Sequence, residues 1–285
     1  MLPLGKLKQN LEFNTSLGGI IDVLKVAASI QLRQFQSMSK PHDEFYKSLK
    51  DAFDMLDTKN SNHPFLTSSE DLSSCIVVIT SDEGFAGELN SLLLHKALEL
   101  RDASNLANFV VLGERGAAFF EEMNESFVFL PGVSQDIDSK EIDRLKDYLI
   151  REYLRGVFSK ITIVYSKFLS LSSQRVETEE ILPCRYLFKE NREQKEGIYK
   201  DLIIEPSFDS VLESIVGLWL GWTIYNIFWS SKLSEFVARL MHLERSTQEL
   251  SRVNQKLAMQ YFRHLHTLAD KSIREISAAR LIKKY

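Results

Sequence analysis

The chain has 285 residues, 44% hydrophobic and 26% charged, with a formal net charge of −4. That balance excludes wholesale disorder, and its acidity argues against nucleic acid as a partner, because nucleic-acid binders carry a basic excess. Cys75 and Cys184 are too far apart for metal-ligand spacing, so neither a disulfide framework nor a zinc site is expected and a reducing compartment is the default. Low usage of glycine (12) and proline (6) favours long helices over a turn-rich β fold. The N-terminus, MLPLGKLKQNLEFN, lacks the apolar core and cleavage site of a secretory signal.

In chain order, Leu7, Leu11, Leu17, Ile21, Leu24, Ala28, Leu32 and Phe35 recur at helical spacing and form one stripe. Gly18-Gly19 interrupts it and predicts a bend or a change of packing partner there. Pro41 and the polar stretch Lys59 to Pro64 mark boundaries. From Ser74 the signals alternate: strand Cys75–Ile79, helix Ser91–Leu100, strand Phe109–Leu112, helix Ala117–Met123, strand Phe127–Leu130, helix Ser139–Arg155, strand Ile161–Tyr165. Such alternation predicts a Rossmann-like α/β layer with parallel strands.

Ser214 to Ser231 carries no charge and sets Gly217 and Gly221 at GxxxG spacing. It is shorter than the ~20 apolar residues of a span and is broken by Thr223, Asn226 and serines, so a helix buried in the α/β domain or covered by a partner is expected in a soluble protein. Leu233, Val237, Leu240, Leu243, Leu250, Asn254, Leu257, Tyr261, Leu265 and Leu268 then follow a coiled-coil-like stripe. About 75 helical residues span ~110 Å, too long to bury a stripe within a compact domain. The first zone is the obvious partner. The expected fold is an α/β insert plus a long antiparallel coiled coil of the N- and C-terminal helices, a rod with a knob, with domains at 1–73, 74–200 and 201–285.

Candidate chemistry is sparse. The turn Thr80 to Asn90 lies between a strand and a helix, where phosphate loops occur, but it matches no phosphate-loop pattern, and Asp82, Glu83 and Glu88 would repel phosphate. A tight structural turn is the better reading. His264 and His266, two apart on a helix, point to different faces and cannot chelate one metal. Ser234, Glu235 and Arg239 share a helix face, as a local ion pair or a partner contact. No nucleophile–base constellation is present, so catalytic, cofactor and metal residues are none. The charged positions 139–151 read as a solvated helix face.

Several motifs, in order, resemble the gamma subunit of rotary F-type ATP synthases. Thr80 to Asn90, TSDEGFAGELN, is similar to the family's T/S-D-x-G-L-x-G-x-L-N, with Asp82, Gly84, Gly87, Leu89 and Asn90 coinciding. Val111 to Phe120 resembles G-x-K-G-x-x-F-F, and Val164 to Pro183 resembles a segment opening V-Y-N-x-F and closing L-L-P. Ser234-Glu235-x-x-Ala238-Arg239-Leu240 resembles S-E-x-x-A-R-M, with Thr247 and Tyr261 at the family's spacing. Asn14-Thr15 and Val26-Ala27-Ala28-Ser29 resemble N-T and M-V-A-A-S.

The resemblance implies a non-catalytic central rotor shaft. Its coiled coil would enter a hexamer of alpha and beta subunits, and its α/β domain would lie near the epsilon subunit and the membrane c-ring. Arg239, Ser234, Glu235, Thr247 and Tyr261 would contact the hexamer. Asp82, Gly84, Gly87 and Asn90 would form a structural turn. ATP and magnesium would belong to the partners, and the assembly would sit peripherally on the cytoplasmic side of the inner or plasma membrane. The sequence departs from the family at Leu17-Gly18-Gly19, at Leu265 to Asp270 and in the apolar run 214–231, which suggests a diverged paralogue in a variant rotary ATPase. The alternatives are a non-rotary coiled-coil scaffold of the same fold, and a small-molecule or nucleotide enzyme using the 82–90 turn.

Overall fold

The computed structural model describes residues 3–37, 43–56, 63–67, 73–104, 106–171, 173–184, 187 and 204–282. Its elements are α1 (Leu4–Ser37), α2 (Asp43–Met55), a 3-10 turn (Pro64–Leu66), β1 (Ser73–Ile79), α3 (Leu89–Asp102), β2 (Ala107–Leu112), α4 (Glu114–Glu122), β3 (Phe127–Leu130), α5 (Ser139–Leu154), β4 (Phe158–Ser170), β5 (Ser173–Leu182) and α6 (Phe208–Ile282). The expected boundaries at Pro41, at 59–62 and at 200 lie outside the described residues.

The chain divides into two compact units, Met1–Ile30 with Leu240–Tyr285, and Gln31–Arg239. This division differs from boundaries at 73 and 200 because both terminal helices contribute to each unit. Phe35, near the end of α1, is fully buried in the second unit, its ring 5.9 Å from Trp229 and 5.5 Å from Phe236 of α6.

In the second unit the sheet order is β3-β2-β1-β4-β5. β1 pairs parallel with β2 and β4, β2 parallel with β3, and β4 antiparallel with β5. Cys75 to Ile79 are all buried, as a parallel strand covered on both faces requires. Ile76, Val78, Phe109, Val111 and Val164 pack with Leu93, Leu94 and Ala97 of α3 and Phe120 of α4. The charged outer edge of β5, with Lys160–Glu180 and Lys167–Glu177 pairs reaching from β4, blunts strand-to-strand association.

Two described helices, Leu4–Ser37 and the stretch Phe208–Ala279, are long and apolar enough to cross a membrane by length and composition. In α6 the apolar run is a core helix. Leu212, Val216, Trp219, Leu220, Ile224, Ile227 and Phe228 are all buried, each burial contributing roughly 1.5–3 kcal/mol. Trp222 stacks on Tyr46 of α2, while Ser230 Oγ accepts from the Phe168 amide of β4. The chain's own α/β unit therefore covers this segment, and Leu218 is its one large apolar side chain that is clearly exposed.

In the first unit α1 and α6 run antiparallel: Lys25 meets Glu244 at 3.2 Å, and a Cβ on Gly18 would lie 3.5 Å from Leu250. Every residue of the predicted α1 stripe is buried or half-buried, and α1 continues through Gly18-Gly19 without interruption. The α6 stripe is covered through Tyr261; Leu265 and Leu268 are exposed.

Hydrogen bonding to Glu244 raises the Lys25 pKa, and the same contact lowers that of Glu244. The Glu244 contribution is present above the ordinary carboxylate range and lost as pH falls through its lowered pKa. The Lys25 contribution is present below the ordinary lysine range and lost as pH rises through its raised pKa. A Lys25→Met variant is expected to melt slightly below wild type at neutral pH, with the difference vanishing in acid below the Glu244 titration. In urea denaturation, Phe35→Ala should cost about 3–5 kcal/mol, whereas Phe13→Ala, on the exposed face, should stay within about 0.5 kcal/mol.

Candidate functional site

The chain winds β1 to β2 to β3 and then returns to place β4 on the other side of β1, so the order reverses at β1. In such sheets ligands enter at the carboxyl ends of the strands, at the reversal. Those ends carry the turn Thr80 to Glu88. Thr80 Oγ donates to the Leu112 carbonyl (2.7 Å) and accepts from the Gly116 amide (3.0 Å). The Ser81 amide donates to Asn90 Oδ1 at 3.1 Å, Asn90 Nδ2 donates to Ser81 Oγ at 2.8 Å, and Ser81 Oγ donates to the Glu83 carbonyl at 2.8 Å. Gly87, at φ +60°, and Phe85, at φ +65°, carry the chain through the left-handed region.

Asp82 closes the arrangement. Its Oδ1 accepts from the Glu114 amide at the start of α4 (3.0 Å) and from the Gly132 amide (3.2 Å). A helix N-terminus attracts anions, and here the chain's own carboxylate takes the place a phosphate would occupy. Gly132 is required: a Cβ there would overlap the Asp82 carboxylate.

α6 fills what remains of the crevice. Ser234 Oγ donates to the Ser166 carbonyl of β4 at 3.1 Å. Arg239 donates through Nη2 to Glu235 Oε1 (2.6 Å) and through Nε to the Gly84 carbonyl (3.3 Å), and pairs with Glu83 Oε2 at 3.2 Å. Glu235 also takes Lys232 at 3.0 Å. Between Thr80, Ser81, Asn90, Val133, Ser231, Lys232 and Glu235 a cavity of about 10 Å³ is left. That is room for about one water, against hundreds of Å³ for a nucleotide pocket, which disfavours an enzyme built on this turn.

Ser234, Glu235 and Arg239 are 0, 7 and 5% exposed. Their polar groups therefore serve their own unit. Thr247 is half-buried on the first unit and donates to the Leu243 carbonyl at 3.1 Å, and Tyr261 is half-buried with its ring edge-on to Phe262. Asp82, Gly84, Gly87 and Asn90 lie together in the turn at the end of β1 and the start of α3. Glu83, Lys232, Ser166 and Gly132 escaped sequence reasoning. Glu83, Ser166 and Gly132 meet partners distant in sequence, Glu83 falls at the variable position of its motif, and Lys232 pairs locally with Glu235 at a spacing that could have flagged it.

A family model described as ATP synthase matches residues 4–278. The ATP synthase gamma chain of Desulforamulus reducens is 26% identical over 277 residues, covering 95% of each chain. The chain belongs to the ATP synthase gamma family. Its fold is similar to chains in two cryo-EM structures of Euglena gracilis mitochondrial ATP synthase. One, of the rotor in rotational state 1, has a TM-score of 0.66 and 16% identity, covering 93% of this chain and 98% of that one. The other, of the OSCP/F1/c-ring assembly in rotational state 3, has a TM-score of 0.68 and 16% identity, covering 97% and 93%. In this chain Ser234, Glu235 and Arg239 face inward, onto the α/β unit.

Burial pushes the Cys184 thiol up to about 12 and drives that of Cys75 higher still. Neither should react with a disulfide reagent at mildly alkaline pH until denaturant is added, when both should. Asp82→Ala leaves two amides without their acceptor and should cost about 1–3 kcal/mol in urea denaturation, with Gly132→Ala giving a similar loss.

Proposed function

We propose that the chain is the central shaft of a rotary F-type ATP synthase, without a catalytic site of its own. The observation that carries this reading is the second apolar face of the first unit. α1 and α6 bury their facing stripes against each other, yet Phe13, Ile20, Val23 and Ile30 on α1 and Met259, Phe262, Ile273 and Ile276 on α6 remain exposed. An apolar surface of that extent calls for a surrounding partner. That partner is the alpha-beta hexamer, with Thr247 and Tyr261 among the contacts. Ser234, Glu235 and Arg239, which the resemblance also assigns to the hexamer, act on it through their contacts within their own unit.

The α/β unit serves the epsilon subunit and the membrane c-ring, on the cytoplasmic side of the membrane. ATP and magnesium are held by the partners. A helix pair whose two sides differ makes different contacts with each of three beta subunits and so biases each between open and closed states.

Affinity purification of the tagged chain from its own cells should recover alpha- and beta-type subunits in near threefold excess, with ATPase activity. A chain recovered alone would overturn the reading and leave the non-rotary scaffold. In the recovered complex, Ile20→Asp with Phe262→Asp, both on exposed positions, should weaken hexamer binding by about tenfold or more while the free chain melts as wild type.

A further inference from the structure

We propose that the ion pair between Glu83 and Arg239 is a positioning joint: it fixes the rotational setting of α6 against the α/β unit, so that torque applied to that unit passes into the helix instead of being lost as twist. The inference rests on the shaft reading above. The apolar residues of α6 in this unit, Leu212 to Phe236, supply affinity for the sheet and for Phe35, and the hydrophobic driving force is itself non-directional. Directional restraint must come from hydrogen bonds, whose energy falls steeply with angle.

Ser230 and Ser234 bond α6 to β4 along its length in the unit, and Arg239, where α6 leaves the unit, bonds it to the turn after β1. The guanidinium is nearly buried, with its side chain 7% exposed. It holds the 80–90 turn at two points, the Gly84 carbonyl and the Glu83 carboxylate. That turn is rigid in its own right. Ser81 and Asn90 brace it from within, and Asp82 ties it to α4 and to Gly132. One side chain of α6 is thereby wired to the carboxyl end of β1, the start of α4 and the β3–α5 connection.

Glu235 pre-orients the arginine from its own helix and is itself held by Lys232. Glu235 cannot register α6 against the sheet, since both partners of that pair belong to α6. Glu83 can. Its side chain is 67% exposed, so the joint is accessible to substitution without opening the core.

The test uses the assembled membrane complex reconstituted in vesicles. ATP hydrolysis is measured together with ATP-driven ion uptake, by quenching of a pH-sensitive dye or uptake of radiolabelled sodium. Glu83→Lys sets a cation against Arg239 and should lower ions moved per ATP by about two- to fivefold, with hydrolysis, subunit composition and melting temperature unchanged. Glu83→Gln keeps an acceptor oxygen and should fall between Glu83→Lys and wild type. Glu88→Lys makes the same charge change at an exposed position of the same turn and should match wild type. Equal pumping per ATP in Glu83→Lys and wild type overturns the joint, as does an equal loss in Glu88→Lys. If Glu83→Lys impairs assembly, Glu83→Gln alone decides, by showing or not showing the intermediate ratio. Failure of the wild-type chain to co-purify with an ATPase would sink the shaft reading instead, which separates the two.

Discussion

The α/β unit is arranged around one uncharged helical run, 214–231, most of which it buries in whole or in part. From Ser214 to Phe228 α6 is apolar around most of its circumference, and a helix of that kind is buried by neighbours on most of its faces, with Leu218 left at the exposed edge. The sheet covers one side of it through β4, and the end of α1 and α2 cover another through Phe35 and Tyr46. The same demand explains why the unit's limits fall within the long helices. After Arg239 the apolar pattern of α6 narrows to a stripe, and a stripe needs only one partner helix.

The helix also decides what the strand ends can do. A doubly wound sheet with a turn after β1 has the makings of a phosphate site, and two features close it in this chain. Asp82 sits where an anion would, accepting the amides of Glu114 and Gly132. Ser231, Lys232 and Glu235 occupy the crevice above Thr80 and Ser81. Thr80, Ser81, Asn90, Ser234 and Arg239 are matched with acceptors from the same chain, so the binding geometry of the fold is spent on holding its own loops and helix together.

Much of this was legible from residue order because apolar periodicity is local. The α1 stripe from Leu7 to Phe35 and the strands at Cys75, Phe109, Phe127 and Ile161 follow from spacing alone. β5 gave no such signal: SQRVETEEIL is a polar edge strand whose half-buried Glu177 and Glu179 break any apolar alternation, and its only clearly apolar end, Ile181-Leu182, is too short to show a period. Gly18-Gly19 reads as a bend or a change of packing partner by propensity, yet α1 passes through it without interruption, because pairing with α6 outweighs roughly 1 kcal/mol per glycine; a Cβ on Gly18 would make only ordinary contact with Leu250. Leu265 and Leu268 continue the stripe in sequence while lying exposed in the fold. Periodicity reports that a face is apolar, not what covers it.

Arg239 marks the limit of sequence reasoning most sharply. Its spacing from Glu235 is a local fact and predicts the i, i+4 pair that forms. Whether the remaining donors face a partner or the same chain depends on where a turn some 155 positions away is placed, and only the fold supplies that. An arginine on an otherwise apolar helix invites a partner-contact reading. Its burial beside Glu83 and Gly84 matches its donors within the chain, which spacing along the helix could not report. The divergent positions on this chain then take on meaning by location. The apolar run 214–231 is absorbed by the chain's own core, whereas Leu265 to Asp270 lies on the exposed end of α6, where a changed sequence changes what a partner meets.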